Sequence, residues 1–281
     1  MMPRKRAALL LPPAILLLAV GAACLPSPDE PIDYVRRENA VIIQLKSLRS
    51  GPELASGVQD RLTLPAFTLY GDGTLFLVRE GEEGREQLIA ATLPEEAILD
   101  LVQFIVDEGF LEFTYEQPRP AAPGPPQRTT FVYVNTKDGT NATRAYALNA
   151  GSLDGASSDY TEFRRLIKIK ERLESLDPLA LGGTVSGAFV PKTALLVVVP
   201  FTGSSPPSSP AAWIYPAIDL TEIAPPGAEF GERIITRVEF PQIFESLTEA
   251  PPVVQQGGRL FIVTVRPALP FEENFPEFDQ R

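Results

Sequence analysis

The single thiol of the chain, Cys24, stands where a greasy run (LLLAVGAAC) meets a polar, proline-rich one (LPSPDEP). A thiol can act as a nucleophile, a metal ligand or an acylation target. No histidine and no second cysteine occur in the 281 residues. That removes Ser-His-Asp and Cys-His catalysis, the commonest metal ligand and any intrachain disulfide. Carboxylates remain as acid-base groups. Glycoside hydrolysis needs two of them facing each other across a cleft, whereas the adjacent pairs Glu95-Glu96 and Asp107-Glu108 fall at predicted helix ends and point apart, which suits interaction with the helix dipole. Neither G-x-S-x-G nor S-x-x-K with K-T-G occurs, and phosphate-loop and dinucleotide fingerprints are missing. No catalytic residue, cofactor or metal is expected.

Four further stretches carry chemistry-capable groups, each with a plainer reading beside it. Tyr70-Gly71-Asp72-Gly73-Thr74 offers a carboxylate among glycines, yet a hairpin tip needs those glycines for its backbone. Arg164, Arg165, Lys168, Lys170 and Arg172 form the one basic cluster of the chain; it could meet lipid headgroups or anionic wall polymers, or pair with Glu162, Glu171 and Glu174 on a solvated helix face. Trp213 and Tyr215 could stack on a sugar or a peptide, or pack internally. Asn141-Ala142-Thr143 matches a glycosylation acceptor, a pattern expected to be idle here.

Ahead of Cys24, Arg4-Lys5-Arg6 and the uncharged run 7–25 end in Gly21-Ala22-Ala23, the order of a secretory leader: basic, apolar, small. The residues around the cysteine resemble the bacterial lipobox, with Gly21 where that motif usually carries leucine. The resemblance implies a leader at 1–23, removal before Cys24, and acylation of Cys24 by chains such as palmitate. Several such chains anchor stably where one does not. Two other readings stay open: cleavage that leaves a free thiol, and an uncleaved run just long enough to span a bilayer.

Acidic groups outnumber basic ones 36 to 25, for a net charge of -11. Such a surface repels phosphates and anionic lipid, so no nucleic acid partner is expected. The expected partners are the membrane, through the N-terminal lipid anchor, and an unidentified envelope component or protein.

The remaining pattern is α+β. Val41 opens a β-rich segment, Phe67, Leu69, Leu75 and Leu77 flank a tight Asp-Gly turn, and residues 88–91 add a strand. Thr92 and Glu95 read as a capping box for a helix carrying Ile98, Leu101, Val102 and Ile105 and stopped at Gly109. A second hairpin turns at Lys137-Asp138-Gly139-Thr140. A second helix, capped by Asp159 with Glu162 three residues on, turns Phe163, Leu166, Ile167, Leu173 and Leu176 inward and ends at Pro178. The repeated hairpin-helix order is either a weak internal repeat or, as favoured here, one turn chemistry used twice. Beyond Gly182-Gly183, strands are expected at 194–199, 234–240 and 260–265, with a short helix at 241–247.

YGDGTLFLV and GGRLFIVTVRPALPFE resemble uncharacterised secreted proteins of Gram-positive and related bacteria that share a leader, a YGDG hairpin and a C-terminal VRP strand. The resemblance implies compartment and architecture only. Four parts are expected: a signal peptide at 1–23, a lipid-anchored tether at 24–36, an α+β domain at 37–179, and a smaller α+β lobe at 180–281 with an acidic-aromatic tail. The function expected is that of an exported, lipid-anchored binding or structural module at the outer face of the membrane. A carboxylate-dependent envelope hydrolase is the alternative.

Overall fold

Six consecutive residues at the start of β1 (Val41–Arg49) are buried, which requires cover on both faces of the strand. That strand sits centrally in a sheet with the order β5-β7-β6-β1-β2-β3-β4-β8. Its other members are β2 (Phe67–Tyr70), β3 (Thr74–Glu80), β4 (Glu86–Thr92), β5 (Glu116–Gln117), β6 (Arg128–Asn135), β7 (Thr140–Tyr146) and β8 (Thr184–Ala188). Seven strands pair antiparallel and the two-residue β5 adds in parallel at one edge. The computed structural model describes residues 32–49, 56–80, 86–114, 116–117, 128–146, 148, 158–203, 210–245 and 253–272. Cys24, the leader, residues 118–127 and 204–209 and the tail from 273 lie outside them.

Side chains alternate across each strand. One face of the sheet carries Ile43, Leu45, Phe67, Leu69, Leu75, Leu77, Val132 and Val134, and it packs under two helices. Helix α2 (Glu95–Asp107) contributes Ile98, Leu101, Val102 and Ile105, a stripe at helical spacing. It ends where Gly109 takes φ 77°, a conformation glycine adopts without the steric penalty of a side chain. Helix α3 (Ser158–Glu174) contributes Phe163, Leu166, Ile169 and Leu173. Both helices were predicted, each with a start that differs from expectation. Thr92 does not cap α2: it is the last residue of β4, paired with Thr74 and Thr184, and Pro94 holds the cap position without a side-chain bond. Sheet pairing claims the threonine first. Asp159 lies inside α3, which begins at Ser158, and Ile169 is fully buried where Ile167 is only partly so.

The second sheet runs β10-β12-β13-β9-β11, with β9 (Thr193–Pro200), β10 (Ala211–Ala212), β11 (Gly231–Thr236), β12 (Val253–Gln256) and β13 (Arg259–Pro267). Only the β10–β12 pairing is parallel. Leu196, Val198, Phe261 and Val263 face a core closed by Ile218, Leu220 and Ile243. The expected strand 234–240 is shifted to β11, and residues 237–239 form a turn into a helix at Pro241–Glu245.

Two composition-based boundaries are crossed by contacts. Residues 32–36, assigned to the tether, pack on the first sheet: Tyr34 is 3% exposed and bridges to Thr136. Strand β8, past the boundary at 180, hydrogen-bonds to β4 of the first sheet. The fold class is α+β as expected.

Candidate functional site

Among the described residues, the stretches singled out in the sequence supply groups that bond within the fold. Asp72 accepts from the Thr74 backbone N–H at 2.8 Å and from its hydroxyl at 2.9 Å, so the carboxylate closes its own turn. In the second Asp-Gly turn the Thr136 hydroxyl plays that part, accepting from Asp138 and Gly139 N–H. The two turns share residue types without sharing geometry. Glu95 binds Arg36 at 2.6 Å, Glu108 binds Lys168 at 3.1 Å, and Asp107 accepts from Gln103. Lys170 pairs with Glu174 one helical turn on, at 2.5 Å. Asn141 donates to the Phe110 and Phe113 carbonyls from within β7. The Trp213 and Tyr215 rings stand 5.0 Å apart against the second core, and the indole N–H donates to the Ile218 carbonyl at 3.0 Å. They brace that core.

Asp33 anchors the 32–36 segment. It takes bonds from Lys137 and Arg36, and the Lys137 contact above all draws its carboxyl down to about 2. Arg36 in turn lies 4.7 Å over the Tyr34 ring.

The groups that come together unforeseen lie on the second face of the first sheet. The β1 register sets Gln44 opposite Thr68 on one side and Tyr133 on the other, with Lys46 opposite Phe131. These side chains point away from α2 and α3, toward the second sheet. Between the sheets sits α1 (Ser56–Leu62), whose Val58 packs on Leu195 and Val197 of β9. Lys46, its side chain 9% exposed, meets the Asp60 carboxylate at 2.7 Å and also donates to the Asp60 carbonyl. Burial pulls the Lys46 ammonium below the ordinary 10.5, and the Asp60 charge opposes part of that pull.

Beside this pair, Arg266 of β13 donates through Nε to the Arg61 carbonyl at the end of α1. Its guanidinium forks onto both oxygens of Glu272, one contact being 2.9 Å. The Glu272 carboxylate also accepts the Leu269 N–H at 3.1 Å. Residues 268–272 thereby fold back from β13 as a strap over the sheet. Leu269 and Phe271 pack there on Tyr70, Phe76 and Phe189, and the Tyr70 hydroxyl donates to the Pro270 carbonyl.

Chemically the cluster neutralises itself. Lys46 with Asp60, and Arg266 with Glu272, are paired charges joining the first sheet, α1 and the second sheet. Such pairs specify how elements dock. The signal in the sequence was faint but present: Gln44 and Lys46 interrupt an apolar strand at alternate positions, and Arg266 does the same in VTVRP.

Searches against protein-family models, curated proteins and solved structures found no match to this chain.

Proposed function

We propose that this protein is an exported binding module, held at the outer face of a bacterial membrane by lipid on Cys24. One observation carries the binding half of that reading: the carboxylates brought near other elements serve as counter-ions that dock one element on another. Glu95, Glu108, Asp60 and Glu272 all do so. These acids are taken up by the fold itself, which favours a binding or structural role over carboxylate catalysis. The basic-apolar-small leader and the placement of the sole thiol support the location.

The hydrolase reading draws on Asp60 and Glu272, two shielded carboxylates in one cluster. Against it, each of these carboxylates is already engaged by a cation, Asp60 by Lys46 and Glu272 by Arg266, in contacts that join elements of the fold. Fractionation of cells expressing the wild-type chain and Cys24→Ser tests the proposal. The wild type should partition with membranes and be digested by protease added to intact cells, and the variant should lose its membrane partition. Equal partition of the two chains, or protection of the wild type from external protease, overturns it.

A further inference from the structure

Residues 32–36 fix the point at which the chain from Cys24 joins the folded body. Tyr34 is buried and bridges to Thr136, the Lys137 N–H donates to the Asp33 carbonyl at 3.0 Å, and Gly71 lies directly beneath Val35. Asp33 binds Lys137 and Arg36, and Arg36 binds Glu95. These contacts mark one end of the first sheet, where the start of β1, the β2–β3 and β6–β7 turns and the entry to α2 meet. Gln87, near the start of β4, belongs to the opposite end.

Two quantities govern how such an end meets a bilayer. The first is reach: the chain from Cys24 to Ile32 spans at most about 29 Å when fully stretched. Eight strands spaced by about 4.8 Å make the first sheet about 34 Å wide, so the leash is shorter than the sheet. The second is charge. In the loops of this end, with Arg36 and Lys137 taken up by Asp33 and Glu95, Arg37 is the base left against the exposed acids Glu38, Asp72, Glu96 and Asp138. The rest of the body is acidic too, since the net charge of -11 already includes Arg4, Lys5 and Arg6 of the leader. Helix α3 does not offset this: it carries five bases against four acids, and Lys168 ties it to Glu108 beside α2, which has four acids and no base.

We propose that this end of the first sheet is the membrane-facing surface of the anchored protein, held off an anionic bilayer by its own charge at the reach of the leash. The inference rests on the anchoring of Cys24 proposed above and gives the anchored body an orientation. An acidic body on a short leash is pushed outward until the leash is taut, which leaves its attachment end nearest the lipid and the Gln87 end farthest. The repulsion is as long as the leash at about 0.01 M salt, where the Debye length is about 30 Å, and shrinks to about 3 Å at about 1 M.

The test uses the mature acylated chain, purified from membranes and placed in vesicles of phosphatidylcholine and phosphatidylglycerol that carry a headgroup fluorophore. Acylation occupies Cys24, the only cysteine, so one introduced at an exposed uncharged position is the thiol open to a dye. Asn39→Cys marks the near end, Gln87→Cys the far end, and Thr161→Cys the first turn of α3 beside Arg164 and Arg165. Energy transfer to the lipid should be about twofold or more higher from the Asn39→Cys dye than from the Gln87→Cys dye, because the strand from Thr92 back to Gln87 adds about 17 Å. Transfer from the near end should also rise as salt is added to the anionic vesicles and stay level on phosphatidylcholine alone. Equal transfer from the three positions, highest transfer from Thr161→Cys, or no response to salt overturns the assignment while membrane partition stays intact. Loss of partition, with dye found on Cys24, refutes the parent proposal and this one with it.

Discussion

Removing the Asp60 carboxylate exposes what the buried pair does. Lys46 is 9% exposed at its side chain and Asp60 is 24% exposed, so the two partners are unequal in their access to water. Asp60→Asn leaves an ammonium shut inside the protein without its counter-ion, a loss of about 3 kcal/mol, at the lower end for buried pairs because water reaches the aspartate. In a body of this size that corresponds to a fall in Tm of roughly 6–12 °C. Lys46→Met keeps most of the volume and leaves a carboxylate that water can solvate, for about 1 kcal/mol. The double variant should then be more stable than Asp60→Asn alone by about 2 kcal/mol, since the stranded charge is gone. The pH dependence has a defined sign. Burial already places the folded Lys46 below 10.5, and Asp60→Asn lowers it further. Between the lowered folded value and 10.5 the unfolded chain binds more protons, so the stability of the variant rises with pH through that window. Urea titrations followed by circular dichroism at neutral pH and at about pH 9.5 read both effects. Equal losses from the two single variants, or an Asp60→Asn chain whose stability falls as pH rises, would refute the reasoning.

Three other perturbations have definite outcomes. At Gly71 an added Cβ would stand 1.9 Å from the Val35 carbonyl oxygen, whereas at Gly139 it meets nothing within 4 Å. Gly71→Ala should therefore cost about 1–3 kcal/mol, and Gly139→Ala in the sister turn should be neutral or stabilising by up to about 1 kcal/mol in thermal melts. Asp33, held near 2 in the folded chain against an ordinary 3.8, gives stability that is complete above 3.8 and lost as pH falls through 2. Amide exchange at Tyr34 should accelerate across that window in the wild type and be pH-flat, beyond intrinsic exchange, in Asp33→Asn. Trp213, the only tryptophan, reports on the second core; its fluorescence transition in urea should coincide with the circular dichroism transition, because α1 and the strap tie the two sheets into one cooperative unit.

The elements most legible in the sequence were those specified locally. The β2–β3 hairpin announced itself through glycines that the turn requires: Gly73 has φ 88°, and Gly71 admits no side chain beneath Val35. Helices α2 and α3 carried their apolar stripes openly. What stayed hidden depended on partners distant in sequence. Strand β8, with the sequence TVSGA, has little apolar surface and joins the sheet through backbone pairing with β4. Helix α1 is short and buries Val58 against a strand more than a hundred residues away. The Thr92 capping box satisfied a local rule that sheet pairing overrode. The Lys46 cluster was hidden for the same reason: its four charges come from β1, α1, β13 and the strap, and only the fold brings them together. Trp213 and Tyr215 were conspicuous by residue type, which says nothing of whether a ring faces solvent or supports a core.

The measurement that bears most directly on the account is the intact mass of the chain purified from membranes. A mature protein beginning at Cys24 and carrying the added mass of acyl chains is the predicted result. An unmodified Cys24, or a chain that retains residues 1–23, contradicts it.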